Sequence, residues 1–177
     1  MARKILNFAA FYAGYVACVF GAAREQALAG SAAAALLLIL HLWFVPDRRQ
    51  EARLLGAAAL VGLGIESLHT ALEFVEFAGR EISLGGVPLW LVLVWMLFAS
   101  TLNGSLSWLS GRYALGAALG AVAGPFSYVA AEPIGAVDLH DNALYAVLGL
   151  AAVWTITTPL LLRLAAFFAP RTLPSAK

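Results

Sequence analysis

Glu66, His69 and Glu73 stand at i, i+3 and i+7 within an otherwise apolar stretch. On a helix these positions share an arc of roughly 60° on one face. A carboxyl and an imidazole so placed can act as acid and base toward a substrate, or hold a polar ligand by hydrogen bonds. Ala59 and Gly62 continue the stripe with small residues, which suits a face turned toward other helices. With Leu54 at the boundary of the apolar layer, Glu66 lies about 18 Å into a layer about 30 Å thick. A charge at the centre of a spanning helix costs about 2.5–3.5 kcal/mol, so such residues usually face a protein interior and mark a functional site. His69 is nearer the surface, and Glu73, at the rim, is expected to be solvated.

Other polar groups reach the same outer level. Tyr128 and Glu132 end a later apolar stretch, and the loop after it carries Asp138, His140 and Asp141 without Lys or Arg. Two histidines and several carboxylates on one side are ligand types for a divalent metal. Their spacing matches no tight ligand motif, so neither metal nor cofactor is expected. Ser100, Asn103 and Ser107 share a face of another stretch, with Thr101 and Ser105 alongside. Groups of this kind hydrogen-bond between helices, typically for under about 2 kcal/mol each, or touch a ligand. The candidate ligand-binding set is therefore Glu66, His69, Ser100, Asn103, Tyr128 and Glu132. No catalytic residue is assigned, because the chain shows no nucleophile elbow, P-loop or zinc signature.

The elements that must position these residues follow from composition. Of 177 residues 62% are hydrophobic and 12% charged, with a mean hydropathy of +0.86. Globular domains are about 45–50% apolar and about 25% charged. A spanning helix needs about 20 mostly apolar residues, and six segments qualify: Ile5–Ala23, Ala27–Val45, Leu54–Phe74, Val87–Leu106, Tyr113–Ala131 and Ala143–Phe167. They lack the alternation of a membrane barrel. The expected fold is an all-α, polytopic membrane helix bundle forming a single membrane-embedded domain over 1–177. The first segment superficially resembles a signal peptide but is too long for one and reads as a retained helix. The single cysteine, Cys18, excludes an internal disulfide, and no basic cluster suggests nucleic acid.

Charge placement tests the count. With six spans and the N-terminus inside, Arg3, Lys4, Arg48, Arg49, Arg53, Arg112, Arg163, Arg171 and Lys177 lie inside and only Arg24 and Arg80 outside, accounting for all 11 basic residues. Such asymmetry predicts both termini cytoplasmic. Trp43, Trp90 and Trp108 fall near helix ends and read as an interfacial aromatic belt.

Small residues recur every four positions on the first helix, as Ala9, Ala13, Ala17 and Gly21 and as Ala10, Gly14, Cys18 and Ala22. They permit close helix approach, either within the bundle or against a partner membrane protein. Gly116, Gly120 and Gly124 repeat the spacing, followed by Pro125. Pro125, like Pro159, is expected to kink its helix, with the freed carbonyl answered inside the protein by Ser127 or a neighbouring helix.

Three stretches carry a resemblance. Leu6-Asn7-Phe8 leads to Val19-Phe20-Gly21-Ala22-Ala23; Pro88-Leu89-Trp90-Leu91 runs to Phe98-Ala99-Ser100-Thr101-Leu102-Asn103 and Ser105-Leu106; Gly124-Pro125 is followed by Ser127-Tyr128, Glu132 and Gly135-Ala136-Val137. Together they resemble an uncharacterised bacterial inner-membrane family, domain of unknown function 2878. The resemblance implies a polytopic membrane protein without an assigned reaction, and an association with fatty-acid-modifying methyltransferases of the cyclopropane synthase type. The family usually carries aspartate at the position of Glu66.

Three functions then compete. The leading one is a non-enzymatic protein with an outward-facing polar pocket among the third, fourth and fifth helices, binding a lipid or lipophilic small molecule through Glu66, Tyr128 and Asn103, accessory to membrane-lipid modification. The second is a substrate-capture subunit of an energy-coupling-factor importer, docking through the Ala9–Gly21 stripe. The third is an intramembrane enzyme with Glu66 and His69 as acid and base, which requires a cavity beside them.

Overall fold

The computed structural model describes residues 1–139 and 142–169. The sequence expectations for His140, Asp141, Arg171 and Lys177 lie outside these residues. Within them run six helices: α1 (Ala2–Ala23), α2 (Ala27–Phe44), α3 (Arg48–Ala71), α4 (Leu89–Leu102), α5 (Tyr113–Ala131) and α6 (Ala143–Phe168). All but α4 are long and apolar enough to cross a membrane. The chain is an all-α bundle of multi-pass type.

Two boundaries differ from the sequence reading for local reasons. Helix α3 starts six residues before Leu54, because Asp47 caps it by accepting the Gln50 N–H at 3.1 Å. An N-cap carboxylate of this kind lets charged residues enter the first turn. At its other end α3 stops at Ala71, and Glu73 takes a left-handed φ of 56° that turns the chain into a strand.

Helix α4 has 14 residues rather than the twenty of Val87–Leu106, about 21 Å of rise. Its end is tied by Asn7 of α1, whose amide donates to the Ser100 carbonyl at 3.2 Å and accepts the Ser105 N–H at 2.9 Å. Beyond it Gly104 lies so close to Asn7 that a side chain there would collide, and a short 3-10 turn, Ser107–Leu109, follows. Helix ends leave backbone groups unpaired, and in lipid those groups must be answered from within the protein. Asn7 does so.

Helix α4 is the central rod. It packs on α1, α2, α3 and α6, with Trp90, Leu91, Trp95, Leu97 and Ala99 among its buried residues. A helix apolar all round belongs in such a position. Four of the others form hairpins, α1 with α2 and α5 with α6, while α3 packs on α4 and α6. Gly30 of α2 lies against the backbone of Ala17 and Cys18, and Gly116, Gly120 and Gly124 of α5 receive Leu162, Thr158 and Trp154 of α6. The glycine stripe of α5 is thus used internally. On α1, Gly14, Cys18 and Ala22 face inward, whereas Ala9 and Ala13 are exposed.

The two ends of the bundle are chemically distinct. One carries Arg3, Lys4, Arg48, Arg49, Arg53 and Arg112, with Arg163 one turn in. Arg3 and Arg48 donate to the carbonyls of Phe44 and Trp43 at the end of α2, and His41 meets Glu51 across the α2–α3 turn at 2.7 Å. The other end bears two small antiparallel pairs, β1 (Val75–Phe77) with β4 (Val137–Leu139) and β2 (Ser83–Leu84) with β3 (Val87–Pro88). The strands lay outside the sequence reading. Their inward residues Val75, Phe77, Val137 and Leu139 are buried and roof the bundle.

Trp43 and Trp108 are exposed at the basic end, as expected of a belt. Trp90 is not a belt residue. It is 2% exposed, and its indole N–H donates to the Ala78 carbonyl at 3.0 Å, pinning the loop after β1 to α4.

Candidate functional site

Glu66 and His69 are both 0% exposed. Three helices converge on the Glu66 carboxyl. Trp95 of α4 donates its indole N–H to Oε1 at 2.8 Å, and Tyr128 of α5 donates its hydroxyl to the same oxygen at 2.7 Å. Nδ1 of His69, one turn along α3, lies 3.0 Å from Oε2. A buried carboxyl group is tolerated only where its hydrogen-bonding capacity is filled, and here both oxygens are engaged. The cluster therefore ties α3, α4 and α5 together at one level.

Aromatic rings surround these bonds. Trp154 of α6 stacks on Trp95 with ring centres 5.0 Å apart and planes 13° from parallel. Tyr128 meets His69 edge-on at 5.7 Å, and Phe74 lies 6.2 Å from the imidazole and 5.1 Å from Tyr145. Three of these rings rest where a neighbouring helix lacks a side chain: Trp95 over Gly62, Trp154 over Gly124 and Phe74 over Gly149. Glycine on one helix thus makes room for a ring from another.

Two buried nitrogens of this region, Trp154 Nε1 and His69 Nε2, are left out. His69 Nε2 is buried and has no hydrogen-bond partner among the described residues. Buried nitrogens of this kind are uncommon and call for an explanation.

The remaining sequence candidates lie elsewhere. Ser100 is buried five residues beyond Trp95, about 7 Å along α4, and its hydroxyl donates to the Leu97 carbonyl. Asn103 caps α4 near the basic end, is exposed, and donates weakly to the Ala165 carbonyl at 3.4 Å. The structure does not bring these two to Glu66. Glu132 sits one turn beyond Tyr128 and accepts the Leu139 N–H at 3.3 Å. It borders an open cleft of about 420 Å³ at the strand end, beside Glu76, Phe77, Gly135, Val137 and Asp138. Among the described residues no group of His, Cys, Asp and Glu is placed to hold a metal. Glu73 is exposed, as expected.

Sequence reasoning missed Trp95, Trp154 and Phe74. The first had a usable signal: an indole N–H in mid-membrane needs an acceptor, and Glu66 is the acidic residue at a comparable depth. Trp154 and Phe74 had none, since only the glycine notches that seat them distinguish them from lipid-facing rings.

General acid–base work would require a substrate within hydrogen-bond reach of Glu66 or His69. Here each Glu66 oxygen is occupied by the protein itself, and neither side chain meets solvent.

A family model described as protein of unknown function (DUF2878) matches residues 4–160. No curated protein matches the chain, and no solved structure does.

Proposed function

The chain belongs to the DUF2878 family, and from that premise we propose that it binds a lipid or lipophilic small molecule at the Glu66 centre, in a bacterial cytoplasmic membrane and without catalysing a reaction. The supporting observation is the cluster itself, a fully buried carboxyl group held by Trp95, Tyr128 and His69 from three helices. Apolar packing would join those helices at less cost, since breaking even with a buried ionic group takes excellent geometry. The space beside Glu66 is filled by rings seated over Gly62, Gly124 and Gly149. Rings turn about two side-chain torsions, so they can yield volume to a ligand where backbone cannot.

The polar head of the ligand engages the Glu66–His69 pair while its apolar body displaces rings. An accessory role beside lipid-modifying enzymes is the setting that the family resemblance implies for such binding. The excess of basic residues at one end supports placing that end in the cytoplasm.

Native mass spectrometry and lipidomics of the purified protein test the reading against Glu66→Gln. A co-purifying species that falls several-fold in the variant is the expected result. Identical bound species in both proteins would remove it.

A further inference from the structure

We infer that the ligand is recognised by an oxygen acceptor, a carbonyl oxygen on a long acyl chain, which takes a hydrogen bond from His69 Nε2 after Phe74 swings aside. The inference rests on the binding reading above and specifies its chemistry.

The proton inventory comes first. Trp95 and Tyr128 supply two hydrogens to Glu66 Oε1, and the Oε2–Nδ1 contact of 3.0 Å holds one more. A cluster of zero net charge is the cheapest one to bury in lipid. It is written either as carboxylate with imidazolium or as carboxylic acid with neutral imidazole. Both forms contain the same protons, and both leave a hydrogen on Nε2. That N–H is a donor without an acceptor among the described residues. An amine or ammonium head would face it donor to donor, whereas a carbonyl oxygen satisfies it.

Aromatic rings neighbour the imidazole. Phe74 lies 6.2 Å from the imidazole, its ring over Gly149 of α6 and 5.1 Å from that of Tyr145. It follows Glu73, a non-glycine residue at φ 56°. Such backbone is costly for residues with a side chain and concentrates at switch and clamp sites. Exposed Leu68 on α3, Leu72 just past its end and Leu148 on α6 adjoin His69 and Gly149 along the chain. A chain lying along these two helices from the lipid side would place its carbonyl under the roof of strands, where Phe74 now sits.

The test keeps the protein constant and varies the lipid. Wild-type protein in detergent is loaded with dioleoyl phosphatidylethanolamine, with its diether analogue lacking carbonyls, or with oleic acid, and retention is read by native mass spectrometry. The diester is expected to be retained about tenfold more than the diether, the ratio that a lost buried hydrogen bond implies. His69→Leu should level the two, and Phe74→Ala should raise diester retention. Retention of oleic acid as well supports the carbonyl as the shared feature, and retention of the diester alone supports it with a headgroup-bearing source. Equal retention of diester and diether, both lost in Glu66→Gln, overturns this inference and leaves the binding reading standing. If no lipid depends on Glu66, the binding reading fails and this inference with it. The diester–diether comparison needs no variant, so misfolding of His69→Leu does not blunt it.

Discussion

The indole of Trp95 occupies the space that a side chain at Gly62 would fill: a Cβ built on Gly62 runs into the ring carbons of Trp95. Gly62 is one turn before Glu66 on α3, so the missing side chain is what lets the indole N–H reach the carboxyl group.

Gly62→Ala therefore sets two effects against each other. Alanine gains up to about 1 kcal/mol in a helix interior. Against that stand overpacking, about 1–3 kcal/mol, and a displaced indole that leaves a buried donor unpaired, about 1–3 kcal/mol more. Steric cost wins. Net destabilisation of about 1–5 kcal/mol is expected in thermal denaturation in detergent, with altered tryptophan emission. An unchanged or higher midpoint would show that Trp95 is free to adjust.

Glu66→Gln and Glu66→Leu should behave differently. Glutamine can accept from Trp95 and Tyr128 through its oxygen and donate to His69 Nδ1 through its amide, which keeps the three bonds but removes the acidic group that the Glu66–His69 pair offers a ligand. Its stability should stay within about 1 kcal/mol of wild type. Leucine strands three polar groups, at about 1–3 kcal/mol each, and should lose several kcal/mol. Equal melting of the two variants would mean that the bonds to Glu66 contribute little to the fold.

Much of this architecture was legible in the chain. The apolar runs gave six helices, and the stripe through Gly62, Glu66 and His69 pointed inward, as the structure shows. Gly116, Gly120 and Gly124 read correctly as a packing face because glycine spacing is local information. The ends of α4 were not legible, since the length of the helix is set by Asn7, more than ninety residues away. The strand roof was missed for a similar reason: β1 and β4 pair across two intervening helices, α4 and α5, and their loops. Asn103 misled because an amide inside an apolar run looks buried until the helix is seen to stop beneath it. Local pattern reports which face is apolar, but contacts between distant segments decide where an element ends.

Asn7 offers a direct check of that point. Asn7→Ala leaves the Ser105 N–H and the Ser100 carbonyl without their partner and should cost about 1–3 kcal/mol. Asn7→Asp keeps the acceptor for Ser105 and loses the donor to Ser100, so it should fall between. Amide hydrogen exchange around Ser105 should speed up in Asn7→Ala. Unchanged protection there would mean that α4 ends where it does for other reasons.

Glu76 and Asp138 face each other across the β1–β4 pair, both on its exposed side. Like charges directly opposite are unfavourable, and an opposite-charge pair contributes about 0.2–1 kcal/mol. Glu76→Lys should therefore raise the melting midpoint slightly. The gain should shrink in high salt, which screens exposed charges. A lower midpoint at low salt would show that the acidic face serves another contact.

The orientation of the bundle rests on an asymmetry that survives in the structure. Among the described residues seven basic side chains, Arg3, Lys4, Arg48, Arg49, Arg53, Arg112 and Arg163, belong to one end and only Arg24 and Arg80 to the other. Basic residues near helix ends are retained on the cytoplasmic side. A fluorescent-protein fusion after Lys177 should therefore be bright in bacterial cells, and alkaline phosphatase fused in the β1–β2 loop at Arg80 should be active. Replacing Arg48, Arg49 and Arg53 together by Gln lowers the asymmetry over the whole sequence to six against two and should yield a mixed population by both reporters. Bright fluorescence at Arg80 in the unaltered chain would invert the bundle and place the roof of strands on the cytoplasmic face.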